Sequence, residues 1–521
     1  MISRVYQLPQ PGAFTPTGRQ KDYLDFITET QLLDASLWQR FVRVFQTKAD
    51  AADRGWRGEY WGKMMRGACL VYRCTADARL YDVLQRAVLS LLDAAEADGR
   101  ISTYTRETEC SGWDLWCRKY VLTGMLHFCD ICRDAALTMR ILDSMERHLD
   151  CLIARVGPGP GQVEITETSD YWLGVNSCSI LEPVMDLYCR RPQERFLRFA
   201  RYILGTGGCS GGDLIALAAE DRKAPYRYPE TKAYETMSFF EGVLAYYEAT
   251  GERRYLDAVL RFSEKVFQTE ITLIGCAGCT HEQFDHAAVR QTKYSEKGMQ
   301  ETCVTVTWMR LCARLFLLTG KQEYADRVEQ SALNALYGSV NLFDQPFTLP
   351  KTGETVPPLP FDSYSPLFLN RRGLRVGGMK HFDDGSFYGC CAAIGAAGLA
   401  VYPLIDSLRQ TGRAAPELRE HRLNGRIAFT FGPYVLARDA AKTPDDLSAP
   451  VRPLRKNGAL CYTLLQPEAG EAVRLLLQTE RGDVLLTDYA SCGKKWAENS
   501  GVLTVWMPKR RRLFQNRLPR R

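Results

Sequence analysis

The stretch ETCVTVTWMRLCARLFLLTG, Glu301 to Gly320, decides the architecture. Val304, Trp308, Leu311, Leu315 and Leu318 recur at helical spacing and draw one apolar stripe. Thr319-Gly320 closes the stripe, because glycine tolerates the left-handed backbone on which helices often end. A short polar turn follows and runs into an aromatic residue, Tyr324, that opens the next helix. The same unit occurs as TADARLY at Tyr81, RRPQERF at Phe196, TGERRY at Tyr255 and TGKQEY at Tyr324. The interval from Tyr81 to Phe196 is close to double the other two, which predicts a further unit near Arg133 to Arg140. An open solenoid repeats at roughly 30 to 47 residues with a tidy consensus, and these intervals are longer and less regular. A closed α/α toroid fits better, with its site at the mouth where the inter-helix loops gather.

Outward from this helical region the pattern changes. Ile427, Phe429 and Phe431 alternate before Gly432-Pro433, and short apolar runs follow at 473–478, 483–488 and 502–507, each bounded by turn residues. These predict a small β-rich domain. Pro346 to Asp384, rich in Pro, Gly and Asp, is a long loop of the kind that serves a site. The expected organisation is an N-terminal extension over 1–20, a helical catalytic domain over 21–408, a β-rich domain over 409–508 and a basic tail over 509–521.

Of 521 residues, 45% are hydrophobic and 25% charged, a globular composition. No run of about 18 apolar residues occurs, and Met1 to Tyr23 carries Arg, Lys and three prolines where an export signal needs an apolar core. The expectation is a cytoplasmic protein with no membrane partner. The net charge of +6 resides in the tail, where Lys509 to Arg521 holds seven basic residues and no acid. The rest is near neutral, so a nucleic-acid surface is not expected and the tail reads as solvated. Eighteen cysteines without an export signal read as reduced thiols, most of them small buried hydrophobes.

A few of these cysteines stand apart. Glu301-Thr302-Cys303 begins the amphipathic helix above, and Cys390-Cys391 is an adjacent pair at the end of the long loop. Neighbouring cysteines bridge each other only with strain, so the pair is either inert or bound to something. One carboxylate and three thiols would suit tetrahedral zinc, although residue chemistry alone puts buried structural thiols first. Cys129 and Cys132, three apart in an apolar helical stretch, read as core. Cys276 and Cys279, followed by His281, could chelate a metal together with that first pair, a weaker four-cysteine alternative. In His281-Glu282-Gln283-Phe284-Asp285-His286, Glu282 could donate a proton in a glycosidase, against the plainer reading of a solvated loop acid. Trp113, Asp114 and Trp116 in SGWDLWCRKY, and Tyr171, Trp172 and Asn176 in DYWLGVNSCS, suit a sugar ring or a helical core equally well.

Taken together, ETCVTVTWM, YGCCAA with the earlier PFDSYSPL, HEQF, GWDLW, and FGPYVLARD with TDYAS resemble glycoside hydrolase family 127, the β-L-arabinofuranosidases, from about Gly55 to Tyr489. The resemblance implies an (α/α)6 barrel followed by β-sandwich-like material, here shortened. It implies zinc held by Glu301, Cys303, Cys390 and Cys391, with Cys390 also the nucleophile and Glu282 the acid/base. The implied reaction is retaining release of a terminal L-arabinofuranose-like sugar from a small oligosaccharide or glycoside, through a thioglycosyl intermediate. Trp113, Asp114, Asn176, His281 and Tyr388 are the expected sugar contacts. Two rivals are a non-catalytic, zinc-stabilised carbohydrate-binding relative and a barrel-fold sugar epimerase, the latter needing histidine pairs that these segments lack. The oligomeric state stays open, a homodimer being the one assembly considered.

Overall fold

Asp34, Asp77 and Asp134 each turn a loop into a helix. Their carboxylates accept backbone N–H groups of the first turn: Ser36 and Leu37, Arg79, and Ala136 and Leu137 respectively. The helices they start are α1 (Ala35–Thr47), α3 (Ala78–Asp93) and α5 (Ala135–Arg155) in a computed structural model that describes residues 2–293, 300–348, 353–373, 377–410, 415–439, 447, 449–494 and 502–509. The other barrel helices are α2 (Gly58–Thr75), α4 (Asp114–Cys129), α6 (Leu181–Arg190), α7 (Glu194–Gly205), α8 (Ala233–Thr250), α9 (Arg253–Thr269), α10 (Thr302–Thr319), α11 (Gln322–Ser331) and α12 (Cys390–Asp406).

The repeated polar turns are the corners of helical hairpins. Helices α2, α8 and α10 end on Ala76, Gly251 and Gly320, all left-handed, and the chain reverses there into α3, α9 and α11. The unit expected near Arg133 is the turn between α4 and α5. Even-numbered helices form an inner ring in which α2 meets α4, α4 meets α6, α6 meets α8, α8 meets α10, α10 meets α12, and α12 returns to α2. Odd-numbered helices lie outside. Composition explains the division: α2, α8, α10 and α12 are buried nearly all round, whereas α1, α9 and α11 bury one stripe. Among the described residues, only α10 is long and apolar enough to cross a membrane, and it is one of the buried inner helices. Because an outer helix separates each inner helix from the next, the inner six run in one direction and their N-termini share one mouth.

Between α11 and α12 the chain leaves the barrel. It forms strand β1 (Asn370–Arg371) and then a hairpin of β2 (Met379–His381) and β3 (Phe387–Gly389), which delivers the chain directly to Cys390. The C-terminal domain comprises β4 (Leu418–Leu423), β5 (Arg426–Phe431), β6 (Tyr434–Asp439), β7 (Tyr462–Leu464), β8 (Arg474–Leu477), β9 (Val484–Asp488), β10 (Val502–Thr504) and β11 (Met507–Pro508). With β1 these make one nine-stranded antiparallel sheet in the order β7-β8-β9-β6-β10-β1, and β5 joins β6 to β4 and β11. Val435, Ala437, Tyr489, Leu503 and Trp506 belong to the barrel's own core cluster, so the sheet covers the barrel rather than hanging from it. The basic tail beyond Lys509 lies outside the described residues.

Candidate active site

The mouth formed by the inner-helix N-termini gathers the chemistry. Glu301 stands at the N-cap of α10, Cys303 lies in its first turn, and Cys390 and Cys391 begin α12. Backbone contacts fix both starts: Thr302 N–H donates to Ser363 O at 3.0 Å and Cys390 N–H to Gly378 O at 3.1 Å. The sulfurs of Cys303 and Cys391 are 3.5 Å apart, and those of Cys390 and Cys391 3.9 Å. Glu301 Oε1 lies 3.8 Å from Cys390 Sγ and 3.6 Å from Cys391 Sγ.

These edges fit one metal ion. Zinc–sulfur bonds of about 2.3 Å at tetrahedral angles put sulfurs about 3.8 Å apart, with oxygen slightly closer. All four ligand atoms lie within 4.8 Å of one another, all four residues are buried, and Glu301 Oε2 is buried without any partner. A buried, unpaired carboxylate oxygen costs stability unless something binds it. Among the described residues no other group of three or more such side chains converges in this way.

Two buried lysines and two helix N-termini flank the thiols. The N-termini of α10 and α12 direct their dipoles at the thiols. Lys63, fully buried in α2, places Nζ 4.0 Å from Cys303 Sγ, pairs with Glu59 at 2.8 Å, and sits over the Tyr234 ring at 4.6 Å. Hydrogen bonds from the Cys303 and Cys391 thiols, aided by the Lys63 and Lys232 charges, hold Cys390 well below the ordinary thiol range. Burial pushes the Cys303 and Cys391 thiols up, and burial with the Glu282 charge does the same to the Glu301 carboxyl. One thiolate shared within the cluster is therefore favoured before any metal enters.

Glu282 reaches the same mouth from the loop after α9. His281 and Glu282 both have left-handed backbones, φ 50 and φ 64, a conformation that bulky residues adopt only when their surroundings impose it. Here pairing with the head of α8 imposes it: Ala233 N–H donates to Glu282 O at 3.1 Å and Phe284 N–H to Thr231 O at 2.7 Å. The Glu282 carboxylate receives the Lys232 ammonium and the Tyr364 hydroxyl. Sequence reasoning missed Lys63, Lys232 and Tyr364. The SYS of PFDSYSPL was a signal for Tyr364, but a lysine at a helix start carries no periodic mark.

The structure divides the expected sugar contacts. Trp113 is half-buried on the rim and His281 is exposed beside Glu282. Asn176 is buried, donates to Ser169 Oγ at 3.0 Å, and leaves Oδ1 unpartnered. Two expectations are corrected. Asp114 is fully buried and committed to Ser102, the Cys110 N–H and Arg118, so it supports the loop rather than touching a ligand. The Tyr388 hydroxyl accepts from Gln31 Nε2 and its ring packs on Phe41 and Tyr60, because alternation along β3 turns it inward. Cys129 and Cys132 are half-buried, while Cys276 and Cys279 are buried, and Cys276 Sγ donates to the Glu301 carbonyl at 3.4 Å. None of the eighteen cysteines forms a disulfide.

A barrel of paired helices thus holds at its mouth a carboxylate–thiol cluster opposite an acid. The family model for the β-L-arabinofuranosidase GH127 catalytic domain matches residues 20–350. The chain belongs to that glycoside hydrolase family. The match ends before Cys390 and Cys391, which the fold brings to the matched half. Among solved structures, a GH127 β-L-arabinofuranosidase from Geobacillus stearothermophilus T6 is similar at TM-score 0.65 and 13% identity, over 95% of this chain and 99% of that one. Another GH127 β-arabinofuranosidase is similar at TM-score 0.61 and 15% identity, over 94% and 93%. No curated protein sequence matches the chain.

Proposed function

We propose that this glycoside hydrolase is a zinc-dependent, retaining β-L-arabinofuranosidase in which Cys390 is the nucleophile and Glu282 the acid/base. The observation that carries the reading is the convergence of Glu301, Cys303, Cys390 and Cys391 at two helix N-termini, with all four ligand atoms within 4.8 Å of one another. Zinc in this set would keep the thiols deprotonated and the site rigid.

The remaining work falls to the chain's own groups. Cys390 Sγ forms a bond to the anomeric carbon as the bond to the leaving oxygen breaks, and Glu282 gives that oxygen its proton. Glu282 then takes a proton from water, water oxygen bonds to the anomeric carbon, and the carbon–sulfur bond breaks to return the thiolate. Two inversions give net retention. Lys232 and Tyr364 aim the Glu282 carboxyl, and Gly378 holds Cys390 from the other side. The left-handed Gly378, φ 62, is what admits the thiol, since a Cβ there would lie 2.0 Å from Cys390 Sγ.

Zinc measured by mass spectrometry on protein purified under reducing conditions, with hydrolysis of an aryl β-L-arabinofuranoside, tests the reading. One zinc per chain and turnover with retained configuration are expected. Metal-free, fully stable protein without turnover would overturn it.

A further inference from the structure

The loop that carries Glu282 is anchored on both sides. Before the acid, Gly278 O accepts from Gln300 N–H at 2.7 Å and from Gln300 Nε2 at 3.0 Å, which ties the loop to the residue preceding Glu301. After the acid, three successive main-chain N–H groups, those of Asp285, His286 and Ala287, converge on Glu270 Oε2 at 3.0, 3.0 and 3.3 Å. His286 is left-handed, φ 63, and the residues after it are helical, so the chain curls into a concave nest of N–H groups, a shape that holds anions. The anion in this nest is the Glu270 carboxylate, whose Oε1 takes the Thr269 hydroxyl at 3.1 Å. Asp285 Oδ1 in turn accepts from Cys279 N–H at 3.1 Å and closes the loop on itself.

Everything else at that position disfavours a negative charge. Glu270 is fully buried and stands at the C-terminal end of α9, the negative end of its dipole. Burial, with the Asp285 charge adding to it, pushes the Glu270 carboxyl up to about 7 against the pull of the N–H groups. A carboxyl raised in the folded state binds its proton more tightly there than in the unfolded chain. Its ionisation therefore costs stability as pH climbs from the unfolded value through the folded one. Packing alone gives no reason for a charge here. What the charge supplies is a set of strong, charge-assisted bonds to one short stretch of backbone. That stretch begins three residues beyond Glu282, and the left-handed backbones of His281 and Glu282 persist only where neighbouring contacts over-determine them.

We infer that Glu270 is a positioning residue: its carboxylate, seated in the nest at 285–287, fixes the backbone of the acid loop and with it the point from which Glu282 protonates the leaving group. Lys232 and Tyr364 hold the Glu282 side chain, and Glu270 holds the chain beneath it. The inference rests on the hydrolase reading above and adds a second buried acid to its machinery.

The test compares wild type, Glu270→Gln and Glu270→Ala on a methyl β-L-arabinofuranoside and on an activated aryl one. Glu270→Gln keeps the shape without the charge, and Glu270→Ala leaves three N–H groups without their acceptor. For the methyl glycoside, whose leaving oxygen needs a proton, kcat/KM should fall about tenfold in Glu270→Gln and about 10²-fold in Glu270→Ala, the scale of a misplaced proton donor. The aryl glycoside should lose far less. With the buried charge gone, the thermal midpoint of Glu270→Gln at pH 8 should be unchanged or higher. Unchanged kcat/KM for the methyl glycoside, equal losses on both substrates, or a lower Glu270→Gln midpoint would overturn the assignment. If wild type hydrolyses neither, the hydrolase reading fails, and amide hydrogen exchange still decides what Glu270 does. Faster exchange confined to 279–287 in Glu270→Gln supports the anchor, and unchanged exchange there rejects it.

Discussion

The two ends of the barrel are built from the same six helices and could hardly differ more. At the N-terminal mouth lie thiols, an unpaired carboxylate oxygen and strained loops. At the other end, where the inner helices finish, lies a cavity of about 550 Å³ lined by Arg310, Arg314, Glu182, Asp186 and Glu248. A cavity of that size could be taken for the site. Its charges, however, hold one another: Arg310 binds Glu182 and Glu241 at 2.7 and 2.8 Å, and Arg314 binds Glu182 and Glu248 at 3.1 and 2.6 Å. The N-terminal segment also closes it, with Ile2 N–H on Glu248 O at 2.7 Å and Tyr6 N–H on Leu317 O at 2.9 Å. Helix dipoles add the second distinction, favouring anions and thiolates at one end and cations at the other. Buried oxygens without a partner occur at both ends, Glu182 Oε2 and Glu241 Oε1 at the far one and Glu301 Oε2 at the mouth; the chemistry sits where the thiols gather and the dipoles favour the charge that forms.

Mutations should separate the ends. At the mouth, Glu282→Gln should cost roughly 10²- to 10⁴-fold in turnover of a poor leaving group and much less with an activated aryl glycoside, with stability unchanged. Equal loss on both leaving groups would assign Glu282 a structural role.

At the far end the effect should be stability alone. Burial opposes ionisation of Glu182, but Arg310, Arg314 and Lys119 outweigh it and hold the carboxyl below its usual range. A carboxyl depressed in the folded state stabilises the protein above its unfolded value, and that contribution disappears as pH falls towards the folded one. Glu182→Gln should therefore cost about 3–5 kcal/mol in denaturant unfolding at neutral pH, the penalty for breaking a buried ion pair, and less in acid. Unchanged unfolding at neutral pH would show that the arginines find other partners.

A smaller effect returns to the mouth. Gly378→Ala pushes a methyl group against the Cys390 sulfur on a left-handed residue. Turnover should fall about tenfold or more, the range for displacing a reacting atom, with zinc content retained. Full activity would mean that the thiol can move without consequence.

The contrast also shows what the sequence reveals. Tyr81, Phe196, Tyr255 and Tyr324 mark the hairpins because a helix end and a helix start are local events with local chemistry. The cysteine cluster is legible because thiols and a carboxylate are a distinctive set, although the fold alone brings Cys390 across to Cys303. Lys63 and Lys232 are not legible, since a lysine near a helix start reads the same whether it meets solvent, core or a thiol. Asp114 and Tyr388 mislead for the opposite reason: their residue types suit sugar binding, and only packing directs them inward. The separation of the two ends cannot be read at all without the ring, which turns six distant helix starts into one mouth.

The proposed reaction stands or falls on Cys390, at the start of α12, attacking the sugar. An electrophilic L-arabinofuranose mimic, incubated with the enzyme and followed by peptide mass spectrometry, tests it most directly. A single adduct on Cys390 that depends on the sugar's configuration is expected, with Cys391 unlabelled. An adduct on Glu282 would contradict it, making a carboxylate the nucleophile and the thiol cluster a scaffold.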